Sequence, residues 1–148
     1  MKTKNYLLIL LAIVGLALTG CTKENPNFIT KYYEIHPGDW ELSSDGKYFY
    51  VTLNVPEITP YIVNSGTITV SCIVEGDKWA PLPKIYPESE PLVEDPSKDY
   101  YWYFLVDYEW YERTVDIYIT PSDFATAEEL MPKFMKKDMN FQVSVFYK

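Results

Sequence analysis

Asp99 to Arg113 reads DYYWYFLVDYEWYER, eight aromatic side chains in fifteen residues, and whether those rings form a core or a surface decides the fold. Split by parity, the even positions Tyr100, Trp102, Phe104, Val106, Tyr108 and Trp110 make an unbroken apolar face, whereas the odd positions become charged at Asp107 and Glu109. An alternation of period two marks a strand with one face buried, so the even face is expected in the core. The next segment checks this. With a hairpin at Tyr111–Thr114, Trp110 falls opposite Val115, Tyr108 opposite Ile117 and Val106 opposite Ile119. A slip of one residue would bring Thr114, Asp116 and Tyr118 into the core instead, which pins the register.

The same alternation recurs along the chain in segments rich in Tyr, Val, Ile, Thr and Phe. It predicts strands at Lys31–Ile35, Trp40–Leu42, Tyr48–Val55, Thr67–Glu75, Tyr100–Trp110, Thr114–Thr120 and Asn140–Phe146. Glycines punctuate them at Gly38, Gly46, Gly66 and Gly76. About seven short strands between turns predict an all-β fold, an antiparallel β-sandwich or a partly open barrel. Pro37-Gly38 suits a type II turn, with Trp40 plugging the core behind it. Glu57–Asn64 reads as an irregular turn cut by Pro60. Ser122–Asp138 is the one helical candidate, with Thr126 and Glu129 at capping-box spacing and Pro132 limiting its length. Gly76–Asp99 carries five prolines, at 81, 83, 87, 91 and 96. Their missing amide donors bar an inner strand, so an edge strand and then a long loop are expected, acidic at Glu88, Glu90, Glu94 and Asp95.

The first twenty residues answer a different physical problem. Lys2 and Lys4 precede an uncharged apolar run, Tyr6–Leu18, that ends at Thr19, Gly20 and Cys21, the pattern of a secretory signal. About 13 residues of helix reach roughly 20 Å, too short for a hydrocarbon core of ~30 Å. Leu18-Thr19-Gly20-Cys21 resembles the lipobox of bacterial lipoproteins. The resemblance implies cleavage before Cys21 and acylation of its sulfur and new amino group; the alternative is an ordinary secretory signal with an incidental Cys21. Two or three acyl chains suffice for stable anchoring. The expected organisation is a signal peptide at 1–20, a lipidated cysteine and flexible tether at 21–31, and a single domain at 32–148. The expected home is the bacterial cell envelope, in the outer membrane, on its periplasmic or its surface side.

Composition narrows the activity. Cleavage removes two lysines and no acid, leaving 128 residues with a formal charge of −10. That argues against binding nucleic acid or anionic lipid through a basic face and favours cations or basic partners. With Cys21 acylated, Cys72 is the remaining thiol, on the apolar face of Thr67–Glu75, where it reads as an inert core residue. His36 is the single histidine and Arg113 the single arginine. No nucleophile elbow, zinc motif or phosphate loop is present, so neither catalysis nor a cofactor is expected. Glu109, Asp116 and Asp107 fall together on the outer face of the hairpin, but a calcium ion needs six or more oxygen ligands and three on a flat strand pair fall short. No metal site is expected there.

The outward residues remain. Tyr101 and Tyr103 lie two apart on one strand, and Tyr48 and Tyr50 do so on another, opposite the inward Phe49, Val51 and Leu53. Such rings can simply pair across a sheet, stack on sugar faces or anchor a protein. The lipobox, the GDW turn, VPEIT after a strand, a later LP and the final FQVSVF are together similar to small lipoproteins of the Bacteroidota type, which implies an envelope location and a β-rich fold. The expected function is a lipid-anchored envelope protein with a non-catalytic binding or scaffolding role. The alternative is a surface glycan-binding module using these four tyrosines. The expected partners are the membrane, through the anchor, and a glycan or an envelope protein.

Overall fold

A computed structural model describes residues 27–73, 78–91, 97, 99–122 and 133–147. The signal segment with Leu18, Thr19, Gly20 and Cys21, the Thr126–Glu129 box, Val74, Glu94 and Asp95 lie outside the described residues. The fold is an all-β sandwich of two antiparallel sheets. The strands are β1 (Asn27–Ile35), β2 (Glu41–Leu42), β3 (Phe49–Asn54), β4 (Thr67–Ile73), β5 (Ala80–Pro81), β6 (Lys84–Pro91), β7 (Asp99–Tyr111), β8 (Thr114–Pro121) and β9 (Met139–Tyr147). One sheet has the order β1-β9-β4-β5 and the other β2-β3-β8-β7-β6.

All seven expected strands are present, joined by the short β5 and by β6. The latter is the edge of its sheet, as its prolines require. The hairpin register is the expected one, with Trp110, Tyr108 and Val106 opposite Val115, Ile117 and Ile119. Between the sheets lie Phe104, Val106, Val115, Ile117 and Ile119 from one side and Val70, Cys72, Phe141, Val143 and Val145 from the other, all buried. Burying one such side chain contributes roughly 1.5–3 kcal/mol. Trp40 plugs this core edge-on against Phe141, ring centroids 6.2 Å apart.

Four expectations need correction. β1 begins at Asn27, not Lys31, because Asn27–Thr30 pair with Tyr147–Ser144 of β9; that stretch belongs to the sheet and not to the tether. Pro37–Asp39 is a 3-10 turn and Gly38 has no positive φ, so the type II assignment fails; His36 N–H donates to the Asp39 carboxylate at 2.8 Å and closes the turn. Pro60 does not break structure but starts a short helix, α1 (Pro60–Ser65). At the first helical position its fixed φ is already helical and its missing N–H would have had no partner. Thr59 caps the helix, its hydroxyl accepting from Ile62 N–H at 3.4 Å. Trp110 is 41% exposed, since the end of β7 runs past the facing sheet, where Tyr108 is the last even residue to reach across and donates to the Ile68 carbonyl at 3.1 Å.

Two tight spots hold the loops. A Cβ on Gly66 would lie 2.7 Å from Ile62 Cγ2, 2.8 Å from the Ile62 carbonyl oxygen and 2.9 Å from that of Phe146, so only glycine lets α1 end against β9. Arg113 sits at φ 67 in the hairpin turn, held by backbone bonds of 2.8 Å to both Val55 and Ile58.

Candidate functional site

The outer face of the five-stranded sheet follows from pairing. In β7 the odd residues point out, in β8 and β3 the even ones. Register then aligns Asp107 with Tyr118, Tyr50 and Glu41 in one row, and Glu109 with Asp116 and Thr52 in the next. A hollow of about 340 Å³ on this face is lined by Tyr48, Leu105, Asp107, Glu109, Tyr118 and Thr120.

Phenol and carboxylate meet repeatedly here. Tyr50 donates to Glu41 Oε2 at 2.6 Å, and Tyr111 to Glu109 Oε2 at 2.7 Å. The Tyr118 hydroxyl lies 3.4 Å from both Glu109 Oε2 and Asp116 Oδ2, and its one proton can serve only one of them at a time. Hydrogen bonding to Glu41 raises the Tyr50 phenol above its usual range, and bonding to Glu109 does the same for Tyr111. For Tyr118 burial is the larger cause and the two carboxylates add to it. Asp116 Oδ1 is buried without a hydrogen-bond partner. None of Glu41, Asp107, Glu109 and Asp116 forms an ion pair with a described residue, and the described part of this face is aromatic and acidic.

The four tyrosines singled out in the sequence lie on this outer face as two pairs. Tyr48 and Tyr50 contact one another edge-on at 6.2 Å, and Tyr48 packs on Tyr118 at 5.5 Å. Tyr101 and Tyr103 lie toward the other end of β7, beside Ser89 and Pro87 of the β6 edge. They are 71% and 47% exposed, and the Tyr101 hydroxyl donates to Asp99 at 3.2 Å. Sequence reasoning missed Tyr118, Tyr111 and Glu41. Alternation already pointed Tyr118 outward, but the pairing of β3 with β8, which brings it to Tyr48, leaves no local signal.

Elsewhere, Cys72 is fully buried with its sulfur 3.2 Å from the Tyr86 hydroxyl, and burial pushes the thiol pKa up, as an inert residue requires. His36 Nδ1 lies 2.8 Å from Asp138 Oδ1 in an exposed pair that raises the imidazole pKa. Among the described residues no group of three His, Cys, Asp or Glu is arranged to hold a metal ion, and no helix is long and apolar enough to cross a membrane.

The fold and this face define a two-sheet β-sandwich with an aromatic, acidic outer surface. Compared with protein families, with curated proteins and with solved structures, the chain matches none.

Proposed function

We propose that the protein is a lipid-anchored protein of the bacterial cell envelope, held in the outer membrane on its periplasmic or surface side, that binds or scaffolds without catalysis. The lipobox-like Leu18-Thr19-Gly20-Cys21 behind a basic start and an apolar run supports the anchor. The observation that carries the binding role is the set Glu41, Asp107, Glu109 and Asp116, ion-paired with no described residue, among Tyr48, Tyr50, Tyr111 and Tyr118. Carboxylates attract a cationic side chain and ring faces hold it, so the ligand is a basic segment of an envelope protein. An anionic nucleic acid would be repelled.

Two measurements test this reading. Labelled palmitate should enter the protein and fail to enter Cys21→Ala. A lysine-rich peptide should bind the mature protein more weakly as salt rises and as Glu109 and Asp116 are neutralised to Gln and Asn. Incorporation that survives Cys21→Ala, or peptide binding indifferent to both salt and neutralisation, would overturn it.

The exposure of Tyr101 and Tyr103 favours a second reading, glycan contact at the β6–β7 edge. Replacing both by alanine should then abolish retention on a glycan array, and unchanged retention removes this reading.

A further inference from the structure

The opposite side of the sandwich carries a surface of different chemistry. On β1 the even residues point outward, as do the even residues of β9 and the odd ones of β4. Pairing assembles three successive rows: Phe28 with Phe146 and Thr67, then Thr30 with Ser144 and Thr69, then Tyr32 with Gln142 and Ser71. None of these positions is charged, in a chain with 21 acidic and 13 basic residues. Glu34 stands one row further on, opposite Asn140.

Rings stand at both ends of that neutral floor. Phe28 is 66% exposed and stacks on Phe146 at 6.1 Å. Tyr32 is 68% exposed and meets Trp79, itself 39% exposed, at 5.8 Å. Tyr32 comes from β1, at one edge of the sheet, and Trp79 directly precedes β5, at the other edge. To approach so closely their rings must lean inward over β9 and β4. Phe28 and Tyr32 are four residues apart, which separates the two ring pairs by about 14 Å along the strand.

We propose that this face of the four-stranded sheet is a binding site for a neutral polysaccharide, whose sugar rings stack on the aromatic pairs and whose hydroxyls bond the floor between them. The floor selects this occupant. Thr30 Oγ1 and Ser144 Oγ are bonded to each other at 3.1 Å, yet each hydroxyl offers one donor and two acceptors, so capacity is left over. A polyol satisfies that capacity. An acyl layer or an apolar protein patch would strip water from these groups without replacing its hydrogen bonds. The nine positions of the three rows offer no counter-charge to a charged polymer, which suits a neutral one. The proposal does not rest on the acidic face, which lies on the other sheet.

The test is affinity electrophoresis of the mature, lipidated protein in a polyoxyethylene detergent, which carries no sugar to compete. The gels contain laminarin, xyloglucan, galactomannan or soluble starch, with polygalacturonate as the anionic control. At least one neutral polymer should retard the protein. Tyr32→Ala and Trp79→Ala should each weaken that retardation about tenfold, as expected for a lost ring contact of about 1.4 kcal/mol. Tyr32→Phe keeps the ring and should keep binding, which separates stacking from a folding defect. Glu112→Gln, in the turn between β7 and β8, should leave retardation unchanged. No retardation in any neutral polymer, retardation equal in the Tyr32→Ala and Trp79→Ala variants, or loss on changing Tyr101 and Tyr103 instead would overturn the proposal. So would a dimer that Phe28→Ala dissociates, since the face would then be covered by a second copy.

Discussion

Reversing the charge at Glu109 should make the protein more stable while weakening its hold on a basic partner. Glu109 stands directly opposite Asp116 across the β7–β8 pair, and one Tyr118 hydroxyl lies 3.4 Å from an oxygen of each. Those two oxygens are therefore within about 7 Å of each other, where like charges in water repel by about 0.6 kcal/mol. Glu109→Lys replaces this repulsion by an attraction of similar size. A Debye length of about 8 Å at physiological salt roughly halves the sum, leaving a gain of about 0.6 kcal/mol, within the range of ~0.2–1 kcal/mol for a cross-strand charge pair. The Tyr111 hydroxyl, which donates to Glu109, can turn its oxygen to accept from the new ammonium, so the contact is not orphaned. For a domain of this size the gain raises the melting temperature by about 2 to 4 °C, read by circular dichroism at low and high salt. The gap should shrink as salt rises. Glu112→Lys, in the adjacent turn with no carboxylate opposite, is the control and should change stability by less than about 0.5 kcal/mol. A lower melting temperature for Glu109→Lys, or a gain indifferent to salt, would refute the electrostatic reasoning. If the gain is found, Glu109 is held at a cost to stability that the proposed cationic ligand explains.

Other outcomes follow from single features. The Asp138 carboxylate raises the His36 pKa, so the pair's contribution to stability is fully present below about pH 6.5 and is lost as pH rises through the higher folded value. Asp138→Asn should return the single imidazole toward its ordinary value in an NMR titration, and an identical titration in both proteins would contradict the pairing. Gly66→Ala should lower stability by about 1–3 kcal/mol in thermal or urea unfolding, because two of the three crowding atoms are backbone oxygens that cannot swing away. Arg113→Gly should raise stability by up to about 1 kcal/mol, since φ 67 costs an L side chain what glycine avoids; a loss would mean that the arginine side chain stabilises the turn. Native Cys72 should stay unmodified by a thiol reagent that titrates the urea-unfolded protein, and rapid native reaction would show that the core around it opens.

Strand identity, facing and the β7–β8 register were determined by the amino-acid order alone, because each depends on neighbours two residues apart or on strands joined by a two-residue turn. Trp102, Phe104 and Val106 are buried for the reason their parity states. The even face gave out at Trp110 because parity cannot show where the opposing sheet ends. Pro60 misled for a related reason: a proline that breaks a helix interior also starts one, and Thr59 before it was the overlooked sign.

What only the tertiary structure decided is which outward residues share a face. Tyr48 meets Tyr118 because β3 pairs with β8, and Tyr32 meets Trp79 because β1 and β5 are the two edges of one sheet. Those partners are separated by 70 and 47 positions in the chain. Hydrophobic alternation states only that such side chains point away from the core. Their grouping depends on strand order, which is set by how the whole chain buries its apolar faces, so both surfaces became visible only when the sheets were assembled.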